Sequence, residues 1–218
     1  NACQDLTRPL PPWQVQTLCG IAAGQLVSLV GTTALAAVIW RLDPDSGGIV
    51  SIALPISSVH RYTSVDLRVV VSKSVLTMMA DLRVAAAPNE TGGVLVGTFD
   101  IVRGTVNIVA ALPAPSDSRQ APTYFVRGAR NLRPIIEGMA ARTAGRLHYV
   151  GEWHSHPDHA AARPSRDDET VFAYLSRHLD PTDVPYAMMI CGDRETWLRV
   201  AWQGRMSLEC TMSHANEQ

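Results

Sequence analysis

The sequence predicts an α/β protein, a mixed β-sheet flanked by helices, carrying an N-terminal appendage of helix and strand. Short runs rich in valine and isoleucine, bounded by turn residues, alternate with segments whose apolar residues recur at helical spacing. A hydrophobic content of 46% against 18% charged residues is that of a folded chain with a core, not of a disordered one.

The elements follow in the order β-α-β-β-α-β-α-β-β, which calls for a mixed sheet with helices packed on it. Residues 66–71 (DLRVVV) read as a buried strand. Ser74 is positioned to cap a helix running to about Ala87, with Val75, Met78, Met79 and Leu82 inward, and Pro88 stops it. Strands are expected at 92–99 (GGVLVGTF) and 105–111, then a loop over 112–123, rich in proline, serine and alanine. Helical spacing of Leu132, Ile135, Ile136 and Met139 predicts a helix over 127–144. Beyond it lie a strand at 147–153, a helix at 170–179 and strands at 186–191 and 196–202.

Residues 1–57 differ in character from 58–218 and are read as a separate segment. They comprise a proline-rich loop, Ala/Gly-rich helix, a turn at 43–48 and a strand at 49–54, too little for a core of their own. Nothing charged lies between Trp13 and Trp40, a stretch long enough to span a bilayer. Gln14, Gln16, Gln25 and interrupting glycines favour instead a buried helix over about 15–29, with Leu18, Ile21, Ala22, Gln25 and Leu29 along one side. The opening residues hold no signal peptide, and the start at Asn1 reads as a cut through a longer chain.

Composition narrows the function. A net charge of −1 argues against a dedicated nucleic-acid binder, and no membrane partner is expected. Arg127, Arg130 and Arg133 read as a solvated helix face, with docking surface as the alternative. Four scattered cysteines without a Cys-x-x-Cys pair indicate neither a zinc ribbon nor a disulfide framework and fit a reducing, cytoplasmic setting.

The chemistry is concentrated in 151–169, GEWHSHPDHAAARPSRDDE. Alternation along a strand puts His154 and His156 on one face, where two imidazoles can share a Zn²⁺. Pro157 ends the strand, and the chain returns at Ser165–Asp168, where the next helix begins. Asp168 could supply a third ligand and leave a fourth position for water, the arrangement of catalytic zinc. Each piece has a plainer reading: Ser165 with Asp168 as a capping box, His159 as a loop residue, Glu90 as a surface carboxylate ahead of a strand. A hydrolytic site also needs a base, and Glu90 is the candidate.

Together, Glu90 with Gly92-Gly93-Val94-Leu95-Val96-Gly97, His154-Ser155-His156-Pro157 and Pro164-Ser165-x-x-Asp168 resemble the motif of the JAMM (MPN+, JAB) metalloproteases. The resemblance covers about 62–203 and implies a fold related to the cytidine deaminases. It implies one catalytic zinc held by His154, His156 and Asp168. Glu90 would hold and deprotonate the attacking water and pass the proton to the leaving amine. Ser165 would donate to the developing oxyanion, a contact worth about 10²–10³ in rate elsewhere. The substrate implied is a ubiquitin-like protein or its conjugates, cut after its C-terminus. Eight residues separate His156 from Ser165, one more than the common pattern, which keeps Asp167 as an alternative to Asp168. Glu152 shares the histidine face where the family usually has an aromatic, and is read as non-catalytic.

Ala2-Cys3-Gln4-Asp5 and Leu18-Cys19-Gly20 loosely resemble the end of an E1/ThiF-type adenylating domain, which would make E1- or E2-like enzymes partners and Cys3 a candidate thioester carrier. Two other readings remain: a RadC-like protein connected with DNA repair, and an MPN scaffold without metal. Glu90 and its following glycines weigh against the first, and five filled motif positions against the second.

Overall fold

The computed structural model describes residues 36–42, 49–55, 59–143, 145–179, 182–204 and 206–214. The chain divides into two units, Asn1–Ile56 and Ser57–Gln218. In the first, strands β1 (Ala36–Leu42) and β2 (Ile49–Pro55) pair antiparallel. The expected helix over 15–29 and the adenylating-domain likeness around Cys3 and Cys19 lie outside the described residues. Among those described, no helix is long and apolar enough to cross a membrane.

The second unit is built on one eight-stranded sheet. Its strands are β3 (Val59–Thr63), β4 (Arg68–Ser72), β5 (Gly92–Asp100), β6 (Thr105–Leu112), β9 (His148–Ser155), β10 (Tyr186–Cys191), β11 (Glu195–Trp202) and β12 (Met206–Ser213). The spatial order is β12-β11-β10-β9-β5-β6-β4-β3, parallel at β9/β10 and β4/β6 and antiparallel elsewhere. Between β6 and β9 lie a short hairpin, β7 (Arg119–Ala121) and β8 (Tyr124–Val126), and a helix, α2 (Leu132–Arg142). Helix α1 (Lys73–Ala86) follows β4, and α3 (Arg166–Leu179) links β9 to β10.

Strand β10, YAMMIC, shows why the sheet takes helices on both faces. All six residues are buried, and they divide by alternation. Ala187, Met189 and Cys191 join the larger core with Val75 and Met79 of α1. Tyr186, Met188 and Ile190 pack with Phe172 of α3 and Trp197 of β11. Burying each large side chain contributes about 1.5–3 kcal/mol, so the two apolar layers fix α1 and α3 on opposite faces. The two sheet edges also meet: Tyr62 of β3 and Cys210 of β12 pack on the larger core, and burial pushes the Tyr62 hydroxyl up to about 12.

Four expectations need correction. Met78 is exposed rather than inward, because α1 packs through Val75 and Met79 with Leu82 at the margin. The helix cap falls at Ser72, two residues before Ser74. The loop at 112–123 contains β7, paired to β8, and the helix expected from 127 begins only at Leu132, since Asn131 adopts a left-handed conformation with φ 61°. Arg127 therefore lies outside any helix face. The strands β3, β12 and β1 were not expected at all.

Candidate metal centre

The sheet sets the site through a bulge. In the β5–β9 ladder, Leu95 pairs with Gly151 but Val96 pairs with Tyr149, so Val150 is an extra residue. Val150 and Trp153 consequently both face the larger core, while Tyr149, Glu152 and His154 share the α3 face. Gly151, at φ 153°, makes this possible: a Cβ there would collide with the backbone of Ala187 on β10. Opposite His154 stands Gly92 of β5, where a side chain would strike the Phe125 ring of the β8 hairpin arm.

His154 is the penultimate residue of β9, and His156 follows the strand's last residue, tied by its N–H to the Cys191 carbonyl at 3.0 Å. Asp168 comes from the first turn of α3. Ser165 is that helix's N-terminal cap: its N–H donates to Asp168 Oδ2 at 2.7 Å, and its Oγ accepts the Asp168 N–H at 3.2 Å. The capping box and the candidate ligand set thus coexist in the same residues. The cap aims the carboxylate; its Oδ1 lies 3.3 Å from His154 Nε2 and its Oδ2 3.9 Å from His156 Nε2. The two Nε2 atoms are 3.3 Å apart.

These spacings fit zinc. Ligand atoms at about 2.0–2.1 Å around a tetrahedral ion stand roughly 3.3–3.4 Å from one another. All three donors lie within 4.8 Å of one another, so small rotations complete the fit. His156 Nδ1 donates to the Ala161 carbonyl at 2.9 Å, which leaves the Nε2 lone pair free to coordinate. Burial drives the Asp168 carboxyl pKa upward, but the His154 hydrogen bond and charge, together with Ser165, hold it well below the ordinary range. Burial pushes His156 below its usual value, its Ala161 bond notwithstanding. Both shifts favour the metal-ready forms, an ionised carboxylate and a neutral imidazole.

Glu90 sits in the turn between α1 and β5 and lines one cleft with His154, His156, Ser165 and Asp168. Burial pushes its carboxyl up, the His154 charge opposes and the Asp168 charge reinforces the rise. Its backbone is fastened on both sides. The Glu90 N–H donates to Ala121 O of β7 at 2.9 Å, and the next residue, Thr91, exchanges two hydrogen bonds with Ser155. Ser155, the buried residue between the histidines, accepts the Thr91 N–H on its Oγ and donates its own N–H to Thr91 O at 2.7 Å. Base and ligands are thereby registered to each other. The surface reading of Glu90 is replaced by one in which it faces the cleft.

His159 stays outside the cleft, at φ 66° in the loop after Pro157, and Asp167 lines the cleft without joining the ligand cluster. Sequence reasoning missed Arg83. From the last turn of α1 its Nε donates to the His156 carbonyl at 3.3 Å, and its Nη2 pairs with Asp158, bracing the loop after the histidines. It also missed an ion pair on the cleft wall. Arg127, which the helix-face reading put in solvent, meets Glu152 at 2.7 Å, with both side chains part-buried.

Residues 72–203 match the family model described as prokaryotic homologs of the JAB domain. A CD-NTase/cGAS isopeptidase of Enterobacter hormaechei subsp. hoffmannii is 37% identical over 124 residues, covering 57% of this chain and 67% of that protein. A probable metalloprotease, y4qB, of Sinorhizobium fredii is 32% identical over 68 residues, 30% of this chain and 42% of that protein, so the chain spans under half of its length. A solution structure of a Desulfitobacterium hafniense protein aligns with a TM-score of 0.42 at 21% identity, covering 64% of this chain and 88% of that one. The family match takes in β5, the His154–His156 strand end and the Ser165–Asp168 helix start, and the chain belongs to the prokaryotic homologues of the JAB domain.

Proposed function

We propose that this chain is a zinc-dependent peptidase or isopeptidase that cuts after the C-terminus of a ubiquitin-like protein, releasing it from a precursor or a conjugate. The observation that carries the reading is the juxtaposition of three donors at zinc spacing with Glu90, in an open cleft of about 770 Å³. Zinc bound by His154, His156 and Asp168 would supply a water acidified to a pKa of about 7 and polarise the scissile carbonyl.

The chain's own groups do the rest. Glu90, raised in pKa by burial, takes a proton from the attacking water and delivers it to the leaving amine. Since Ser165 Oγ accepts the Asp168 N–H, its own hydrogen is free to donate to the oxygen that gains charge. Ser155 and Arg83 hold the Glu90 turn and the His156 loop in register.

A CD-NTase-linked conjugate is a second substrate reading, resting on the name of the Enterobacter relative. The likeness of 1–57 to an adenylating domain makes E1- or E2-like enzymes proposed partners in a cytoplasmic conjugation system. The test is cleavage of a ubiquitin-like fusion by zinc-loaded protein, with Glu90→Gln as control. The variant should keep its zinc and lose about 10²–10⁴ in rate. Equal cleavage by both proteins would overturn the mechanism, and zinc-free protein after full reconstitution would favour a scaffold.

A further inference from the structure

The ion pair on the cleft wall has capacity to spare. Arg127 and Glu152 have side-chain exposures of 27% and 17% and both line the cleft that holds the metal ligands. Glu152 Oε1 takes every bond the pair offers: Arg127 Nε at 2.9 Å, Arg127 Nη2 at 2.7 Å and the Tyr149 hydroxyl at 3.1 Å. Arg127 Nη1 is spent on the Gly128 carbonyl at 2.8 Å. Among the described residues Oε2 has no partner, and it is not one of the buried orphan atoms, so it opens on the cleft. Among the described residues the buried Tyr186 hydroxyl, which feels the Glu152 charge, also has no hydrogen-bond partner.

A carboxylate oxygen fixed in this way is a costly thing to cover. The same cleft is lined by the apolar side chains of Phe125, Leu175 and Met188. A protein segment lying there strips water from Oε2 and leaves it unpaired unless the segment brings a donor, and an unpaired charged acceptor is costlier to cover than a neutral one. Glu152 is two residues before His154 on β9, so its Cα stands about 7 Å from that of the ligand. An extended substrate rises by about the same distance over two residues.

We propose that Glu152 is a specificity-determining residue, whose free Oε2 reads a hydrogen-bond-donor side chain on the substrate about two residues from the scissile bond. Arg127 and Tyr149 act as positioning residues that lock the carboxylate's other oxygen and fix where Oε2 points. This deepens the peptidase reading and rests on the substrate running through the same cleft. A serine, threonine, lysine or arginine at that position completes the site, whereas alanine or leucine leaves an acceptor stranded. Discrimination against a substrate that lacks the donor follows from the same unpaired group.

The experiment is a binding selection, so that it does not depend on turnover. Peptides randomised over eight positions are displayed and selected on zinc-loaded Glu90→Ala protein, and on the same protein also carrying Glu152→Ala or Glu152→Gln. Donor side chains should be enriched at one position by about tenfold or more on the parent, and that preference should vanish with Glu152→Ala. Glu152→Gln can keep its amide oxygen on Arg127 and turn its NH₂ to the cleft, so it should shift the preference toward aspartate and glutamate. Thermal melting identifies a variant that has lost its fold, and the glutamine variant then carries the test alone. The same enrichment on all three proteins, or none on the parent, overturns the proposal. Selected peptides that wild-type protein binds but never cleaves, as isolated peptides or as fusions, would sink the peptidase reading and leave the role of Glu152 standing.

Discussion

The two walls of the cleft hold their functional groups in opposite ways. The sheet wall, β5 and β9 with the Glu90 turn, is set by long-range pairing: Gly92 beside His154, Ser155 on Thr91, a bulge at Val150. The helix wall is set locally, by Ser165 and Asp168 three residues apart in a capping box. Each wall contributes one carboxylate to the proposed hydrolysis, Glu90 and Asp168, and their environments drive the two apart. Asp168 is held ionised by His154 and Ser165, while burial raises Glu90. One suits a ligand and the other a proton carrier, a division that the same side-chain chemistry acquires from its surroundings alone.

The largest expected effect is loss of either wall's ligand. His154→Ala and Asp168→Asn should each abolish stoichiometric zinc by elemental analysis. Several kcal/mol of transition-state stabilisation go with the metal, about 10³-fold or more in cleavage of a ubiquitin-like fusion. The asymmetry should show in folding. The side-chain carbonyl that Asp168→Asn introduces can still accept the Ser165 N–H, so the helix wall should melt near the wild-type temperature without zinc. Full zinc occupancy in either variant would break the assignment of the three ligands.

A smaller effect separates Ser165's two duties. Ser165→Gly loses only a few tenths of a kcal/mol as a cap, yet removes the hydroxyl offered to the oxyanion, which predicts a loss of about 10²–10³ in kcat. Zinc content should stay at one per chain. A melting temperature that falls while kcat holds would make Ser165 a cap alone, and the helix wall purely a ligand-bearing one.

The walls also differ in how legible they were. Asp168 and Ser165 could be read because a capping box is a three-residue pattern, and His154 with His156 because strand alternation is a two-residue one. Glu90 looked like a surface carboxylate by composition; only the family motif singled it out, because its backbone partner Ala121 lies 31 residues away and Ser155, which bonds the adjacent Thr91, lies 64 residues from that threonine. The contacts of Arg83 with His156 and of Arg127 with Glu152 span 73 and 25 residues and leave no local trace. β7 and β8 have three residues each, too short for periodicity to register. β12 is a different case. Met206, Leu208, Cys210 and Met212 alternate with Ser207, Glu209, Thr211 and Ser213, a half-buried strand pattern present in the sequence. The central strands β5 and β10 were legible because strands buried on both faces carry near-continuous apolar runs, and β11 because its buried Trp197, Leu198, Val200 and Trp202 dominate its sequence.

The smallest effect concerns pH, and it tests both walls in the zinc-free protein. Burial lowers the His156 pKa, so in the unfolded chain this imidazole takes a proton near its ordinary 6.5 while in the fold it resists until lower pH. The unfolded state then binds more protons across that window, and stability falls as pH drops through 6.5 toward the folded value. Asp168 is depressed as well: its contribution is complete above the unfolded value of about 3.9 and is lost as pH falls toward the folded one. The sheet wall should therefore yield first on acidification and the helix wall second. Urea unfolding of the chelator-stripped protein from pH 8 down to 3.5 should show two successive declines in stability. His156→Gln should erase the one below pH 6.5 and leave the more acidic one in place. A single decline below pH 4, unchanged by that substitution, would mean that His156 is as free to protonate in the fold as outside it, and that the neutral, metal-ready imidazole is not a property of the empty site.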